Sequence, residues 1–199
     1  IILVACVATG IVLAVIGFSK IAGQADDYVR DNPWTGIGIG AAVGVSGPAI
    51  YRHFANKEAL LVELLVGIST RLLAGGQSVV AEAAGARDAL DGLIEFHLDF
   101  ALGESNLIRI QDRDLSHLPT AAARQVRKAQ RQYVEIWVDV LRRIDPDIDE
   151  ADARVMAHAA FGLLNSTPYS LKAPSTTHSS RPVLRAMTVA ALTAAHRNP

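Results

Sequence analysis

The chain has 199 residues, half of them hydrophobic, and a formal net charge of −1 at pH 7. That is enough apolar material for one larger domain, or a small domain joined to a medium one, and too much for global disorder. A charge so near zero excludes a global field for nucleic acid, so any such contact must come from a local basic patch. The lone cysteine, Cys6, excludes an intrachain disulfide and fits a reducing cytoplasm.

In chain order, the run "IILVACVATGIVLAVIGF" carries no charge and is just long enough to span a membrane. Turn signals at "RDNPW" follow, then a short helical segment over residues 37–43. Asn56 opens a longer helix whose apolar residues Leu60, Leu61, Leu64, Leu65, Ile68 and Leu72 keep the helical period, weakened near its end by Gly75, Gly76 and Gly85. Leu90, Leu93, Ile94, His97, Leu98 and Ala101 trace the next amphipathic face. "GESN" breaks the chain before a short helix over residues 107–112, and "SHLPT" breaks it again. A long helix is expected over 121–144, with Val126, Tyr133, Val134, Trp137 and Leu141 on one side and Pro146 as its stop. Asp147 with Glu150 has the form of a capping box for a helix continuing to about Asn165. The polar run "STPYSLKAPSTTHSS" reads as a loop, and a last Ala-rich helix as residues 182–196. Nothing reads as a strand, so the expected fold class is all-α.

The run "GVSGPAIYRHFANKEAL", residues 44–60, is the most informative. Two helices meet at a tight turn where Gly44 suits a positive φ, and Ile39, Val43, Val45 and Ile50 close a small core between them. Ser46 is placed to cap the second helix, and Pro48 is compatible with its first turn. Gly47, Ala49, Arg52 and His53 are left on the outer side, where small residues allow close approach to a groove. Tyr51, Arg52 and Lys57 are placed to meet phosphates.

These residues resemble the helix-turn-helix of the TetR family of bacterial transcription regulators, whose pattern is roughly I-A-x-x-A-G-V-S-x-x-x-[LI]-Y-x-[HY]-F-x-x-K-x-x-L. The match falls at Ile39, Gly44, Val45, Ser46, Ile50, Tyr51, His53, Phe54, Lys57 and Leu60, with Gly40 and Val43 where alanine is more usual. The resemblance implies a DNA-binding domain over 1–56, with Ser46, Gly47, Pro48, Ala49, Tyr51, Arg52, His53 and Lys57 at double-stranded operator DNA. A helical ligand-binding and dimerisation domain over 57–199 would follow. Before residue 37 the resemblance fails. The family's first helix is amphipathic and is followed soon after its "GF" by threonine, whereas Gly17-Phe18 is separated from Thr35 by a long connection and the segment before it has no polar face. Three readings stay open for this segment: a membrane anchor, an unusual first helix with an insertion, or residue identities that do not represent the native chain before about residue 36.

In the family the later helices enclose a small-molecule pocket. Polar and aromatic residues on the corresponding helices here are His97, Arg109, Tyr133, Trp137, His158, Phe161 and Asn165, each with the ordinary alternative of an exposed or self-satisfied residue. The abundance of Leu, Ile, Val, Phe and Trp around them points to a mostly hydrophobic effector, with one acidic or acyl-type head group met by Arg109 or a histidine. Ala153, Ala157, Ala160 and Leu164, with Leu184, Met187, Ala191 and Ala194, repeat at helical spacing; small residues there permit a four-helix interface between two copies. No nucleophile elbow, Walker loop or H-E-x-x-H is present, and Glu95, His97 and Asp99 are two apart, which splays them over different helix faces. The sequence therefore reads as a non-enzymatic, cofactor-free, cytoplasmic regulator. It would act as a homodimeric repressor released from DNA by a small molecule. The rival is a membrane-anchored helical binding protein using residues 1–18.

Overall fold

The computed structural model describes residues 56–166 and 174–194; the expected helix-turn-helix at 37–55 and the apolar segment 1–18 lie outside them. Helices α1 (Lys57–Glu82), α2 (Ala86–Gly103), α3 (Ser105–Asp114), α4 (Thr120–Ile144), α5 (Glu150–Leu164) and α6 (Pro174–Ala194) make up these residues, with a 3-10 turn at Leu115–His117. There is no strand among them, so the architecture is all-α. The chain divides into two compact units, Ile1–Gly67 and Ile68–Pro199, and the division falls within α1.

Local chemistry sets the helix ends. Asn56 caps α1, its Oδ1 accepting from the Ala59 amide at 2.8 Å. Asp88 reaches back to the Ala84 amide at 2.8 Å ahead of α2. For α5 the capping residue is Asp149, not Asp147: its Oδ1 accepts from the Asp152 amide at 2.7 Å. Asp147 lies earlier, in the turn that closes α4, and donates its amide to Asp145 Oδ1 at 3.1 Å. Glu150 instead pairs with Arg154 one turn on, at 2.8 Å. The last helix begins at Pro174, well before Pro182, because proline in a first turn costs no hydrogen bond. Pro182 then sits inside α6 on an exposed position.

The core of the second unit is built from one face each of α2, α4 and α5. Ala89, Leu90, Leu93, Ile94 and Leu98 of α2 pack with Tyr133, Trp137, Val138, Val140 and Leu141 of α4, and Leu192 of α6 joins them. Every residue of the expected α2 face is buried, His97 included. Ala153, Ala157, Ala160 and Leu164 of α5 also lie in this core, at 1% exposure or less. Their small side chains let α5 approach α4 within one chain, which corrects their expected place between two chains. Leu184 of α6 packs partly buried against the same core.

Gly75 and Gly76 do not end α1; they allow it to dock. A Cβ at Gly75 would lie 2.2 Å from the Phe96 ring of α2, and one at Gly76 would lie 2.6 Å from the Tyr133 ring of α4. Helix propensity lost at two glycines is thus exchanged for close approach of two aromatic rings. On the outside, Arg181 pairs with Glu95 at 2.8 Å and with Asp99, while Arg185 pairs with Glu95 at 2.8 Å and Asp91 at 2.9 Å. This ladder, with Glu95 shared, clasps α6 to α2.

Gly75→Ala and Gly76→Ala should each lower unfolding free energy by about 1–3 kcal/mol through overpacking. Gly67→Ala, where a Cβ meets nothing within 4 Å, should raise it by about 0.5–1 kcal/mol. Urea unfolding of the three variants against the parent chain measures the contrast.

Candidate functional site

The α2 face that buries Leu93 and Ile94 carries His97 into the core at 3% exposure, one turn along the same stripe. Two polar partners meet it there. Its Nε2 lies 2.9 Å from Asn165 Oδ1, at the C-terminal cap of α5. Its Nδ1 lies 3.3 Å from the Tyr133 hydroxyl of α4. Since Asn165 presents an oxygen, Nε2 carries the proton and donates, which leaves the Nδ1 lone pair to accept from the Tyr133 O–H.

Four rings surround the imidazole. Phe161 tilts over it at a centroid distance of 5.0 Å, Tyr133 stacks at 5.9 Å, and Phe100 and Trp137 present edges at 5.8 and 6.2 Å. Phe161 also lies 4.9 Å from Trp137 and 5.6 Å from Tyr133, so it covers all three while remaining half-buried itself. Trp137 has no exposed surface, and its Nε1 meets no acceptor among the described residues.

Burial pushes the His97 imidazole down to about 4, against a smaller opposing effect of the Asn165 hydrogen bond. It is therefore neutral at pH 7. Burial likewise raises the Tyr133 phenol far above its usual range; the nearby Trp137 N–H offsets this slightly without forming a well-made hydrogen bond. The cluster is uncharged, aromatic and one acceptor short.

Of the residues expected at a ligand site, the structure brings His97, Tyr133, Trp137, Phe161 and Asn165 together. Arg109 is exposed on α3, outside the cluster. His158 is exposed on α5, because the inward stripe runs through residues 153, 157, 160, 161 and 164, and a position one residue past 157 turns away. Phe100 is not among the expected residues, although its spacing of three from His97 places it on the same face. A separate cleft of about 650 Å³ lies between α1 and α4, lined among others by Val80, Ile136, Val140, Arg142 and Arg143. Ser46, Gly47, Pro48, Ala49, Tyr51, Arg52 and His53 lie outside the described residues; Lys57 is the first residue of α1.

Two family models cover most of the chain beyond residue 37. That for bacterial regulatory proteins of the tetR family matches residues 38–64, and that for the tetracyclin repressor-like C-terminal domain matches residues 83–169. The chain belongs to the tetR family. It is accordingly a DNA-binding transcriptional regulator, with a helix-turn-helix domain ahead of a larger helical domain. The TetR-family regulator of Bordetella parapertussis 12822 shares its fold with a TM-score of 0.71 at 21% identity, over 95% of this chain and 97% of that one. PfmR of Thermus thermophilus gives 0.67 at 20% identity over 90% and 98%. FadR of Bacillus subtilis, solved with stearoyl-CoA, gives 0.51 at 22% identity over 77% and 82%. The C-terminal match contains all five residues of the cluster, and the N-terminal match contains every residue expected at DNA.

Ahead of the tetR match the chain resembles something else. A model of the DUF883 C-terminal glycine zipper region matches residues 25–45. The protein YqjD of Escherichia coli (strain K12) is 75% identical over 24 residues, 12% of this chain and 24% of that protein. The chain thus spans about a quarter of the length of the curated relatives it matches. The departure from the tetR pattern before residue 37 therefore falls partly, from residue 25 on, in a segment with a second likeness. Among the described residues, Glu58–Glu82 is long and apolar enough to cross a membrane by length and composition. Its last turns nevertheless hold Gly75 and Gly76 against Phe96 and Tyr133.

The depressed His97 fixes a sign for the effect of acid. The unfolded chain binds a proton near pH 6.5 and the folded one only near pH 4, so the stabilisation is whole above 6.5 and is lost as pH falls toward 4. Unfolding free energy should fall by up to about 3 kcal/mol across that window. Urea titrations between pH 4 and 7 should show this slope in the parent chain and a flatter one in His97→Gln.

Proposed function

We propose that the chain is a homodimeric, ligand-responsive repressor of the cytoplasm, with residues 1–56 reading operator DNA and 57–199 binding the effector and the second copy. The observation that carries the effector half is the buried His97–Tyr133–Asn165 relay under Phe161, polar groups gathered where plain packing needs none. Tyr133 also touches α1 at Gly76, so a ligand that moves this ring acts on the helix that follows the reading head. A ligand that binds one arrangement of these helices better than the other shifts the population, and DNA affinity falls by that difference. The stearoyl-CoA held by FadR supports an effector with a long apolar part.

The dimer reading moves to a new face on α5, while Met187 and Ala191 of the expected α6 stripe stay exposed. Among the described residues the exposed large hydrophobics are Val155, Val183 and Met187, all on α5 and α6. Around them lie exposed Ala151, Ala159 and Gly162 of α5 and Ala186, Ala190 and Ala191 of α6, all uncharged. Two adjacent helices with small, apolar outer stripes suit a self-complementary four-helix contact.

Tyr51→Phe and Lys57→Ala should weaken binding to every DNA sequence by a similar factor, because they remove phosphate contacts, while bulky residues at Gly47 or Ala49 should alter sequence preference. Genomic-fragment selection followed by fluorescence anisotropy tests this; unchanged affinity in both variants would count against the reading head. Val155→Arg and Met187→Arg should give folded monomers with much weaker operator binding, since half-site avidity is lost. Ala157→Arg should unfold the chain instead, being wholly buried. Sedimentation velocity with circular dichroism separates these outcomes, and a monomeric parent chain at micromolar concentration would overturn the dimer.

A further inference from the structure

The aromatic cluster has a definite donor and acceptor count. Asn165 Oδ1 accepts a hydrogen bond from His97 Nε2–H, and His97 Nδ1 accepts one from the Tyr133 O–H, so both of those donors are used within the chain. The Trp137 indole N–H is left, fully buried; the Tyr133 oxygen lies near it without a well-made hydrogen bond, and no other acceptor meets it among the described residues. Its nearest aromatic cover is Phe161, whose ring lies against it at 4.9 Å and is the half-buried one of the cluster. A molecule entering there meets aromatic walls and one unused donor.

Charge narrows the choice further. The buried polar residues among those described are Ser69, His97 and Thr188, with no lysine or arginine. Arg154 is held by Glu135 and Glu150, and Arg181 and Arg185 by the carboxylates of α2, all at the surface. An anion seated at Trp137 would therefore be buried without a counter-charge, and so would a cation, since no aspartate or glutamate is among the buried residues described.

We propose that this cluster selects an uncharged, mostly apolar molecule bearing a carbonyl oxygen, which takes the hydrogen bond of Trp137 Nε1 once Phe161 has moved. The inference rests on the reading of the cluster as the effector site and names the chemistry that site accepts. Neutral His97 agrees with it, since a protonated imidazole would favour an anion instead.

The probes are butyrophenone, its hydrocarbon counterpart butylbenzene, the anion 4-butylbenzoate and the cation phenyltrimethylammonium, each titrated by calorimetry at pH 7.5. The parent chain should bind the ketone about tenfold or more tighter than the hydrocarbon, as a site with a buried donor discriminates against a partner lacking the acceptor. Both ions should bind more weakly than the ketone. In Trp137→Phe the ketone preference should fall below about twofold. Because that variant tests folding as well, the indole N–H is also followed directly by NMR. The chain has two tryptophans, so Trp34→Phe leaves a single indole signal, which should move downfield with ketone and not with hydrocarbon. Tightest binding of either ion, an unmoved indole signal, a preference that persists in Trp137→Phe, or binding of none of the four each overturns the proposal. Operator release is read separately. A Trp137-dependent preference without release keeps this inference and defeats the ligand-release reading. Release by ketone with no Trp137 dependence does the reverse.

Discussion

Three helices of the second unit meet at one imidazole. His97 projects from α2, donates a hydrogen bond to Asn165 at the end of α5, and accepts one from Tyr133 of α4. Leucine at this position would pack equally well but would leave Asn165 and Tyr133 unmet in the core, and those losses are larger than the gain from apolar burial. The relay therefore fixes both the register of the helices and the identity of the groups that line their junction. Tyr133 extends it by one more contact, since its ring occupies the space that Gly76 of α1 leaves open. Four helices are thus referenced to one neutral side chain.

Much of this is legible from periodicity. The α2 face Leu90, Leu93, Ile94, His97, Leu98 and Ala101 is buried as spaced, and Tyr133 and Trp137 face inward on α4. Asn56 and Pro146 mark helix ends by mechanisms that need no tertiary knowledge. The misplaced residues share a physical cause. A stripe of alanines says that something approaches closely, not whether it comes from the same chain, and so Ala153, Ala157 and Ala160 read as a contact between copies when they serve one within the chain. His158 differs from Ala157 by a single 100° step, which composition cannot resolve but which decides between core and solvent. Gly75 and Gly76 look like breakers because propensity is local, whereas the rings that need their missing side chains lie on other helices. The contact between His97 and Asn165 spans 68 residues, and no local pattern carries it.

The two ends of the chain's likeness meet within the reading head. The tetR match opens at residue 38 while the glycine-zipper match runs to residue 45, so the residues Gly38 to Val45 are shared between two patterns. The shared run "GIGAAVGV" is built of small and aliphatic residues alone. The residues expected at DNA, from Ser46 onward, fall in the tetR match alone.

The clasp between α2 and α6 has a bearing on how this protein responds to ionic strength. Arg181 and Arg185 hold α6 through solvent-facing carboxylates, with Glu95 shared between them. Counterions that screen this ladder act on the same helix that carries Val183 and Met187 outward. Added salt therefore loosens the seat of α6 at the same time as it competes for phosphate. A logarithmic plot of operator affinity against salt for this protein is then the sum of two slopes, one from ions released by DNA and one from ions taken up by the protein's own surface. Counting phosphate contacts from such a plot requires the second to be removed first, by following α6 in the absence of DNA.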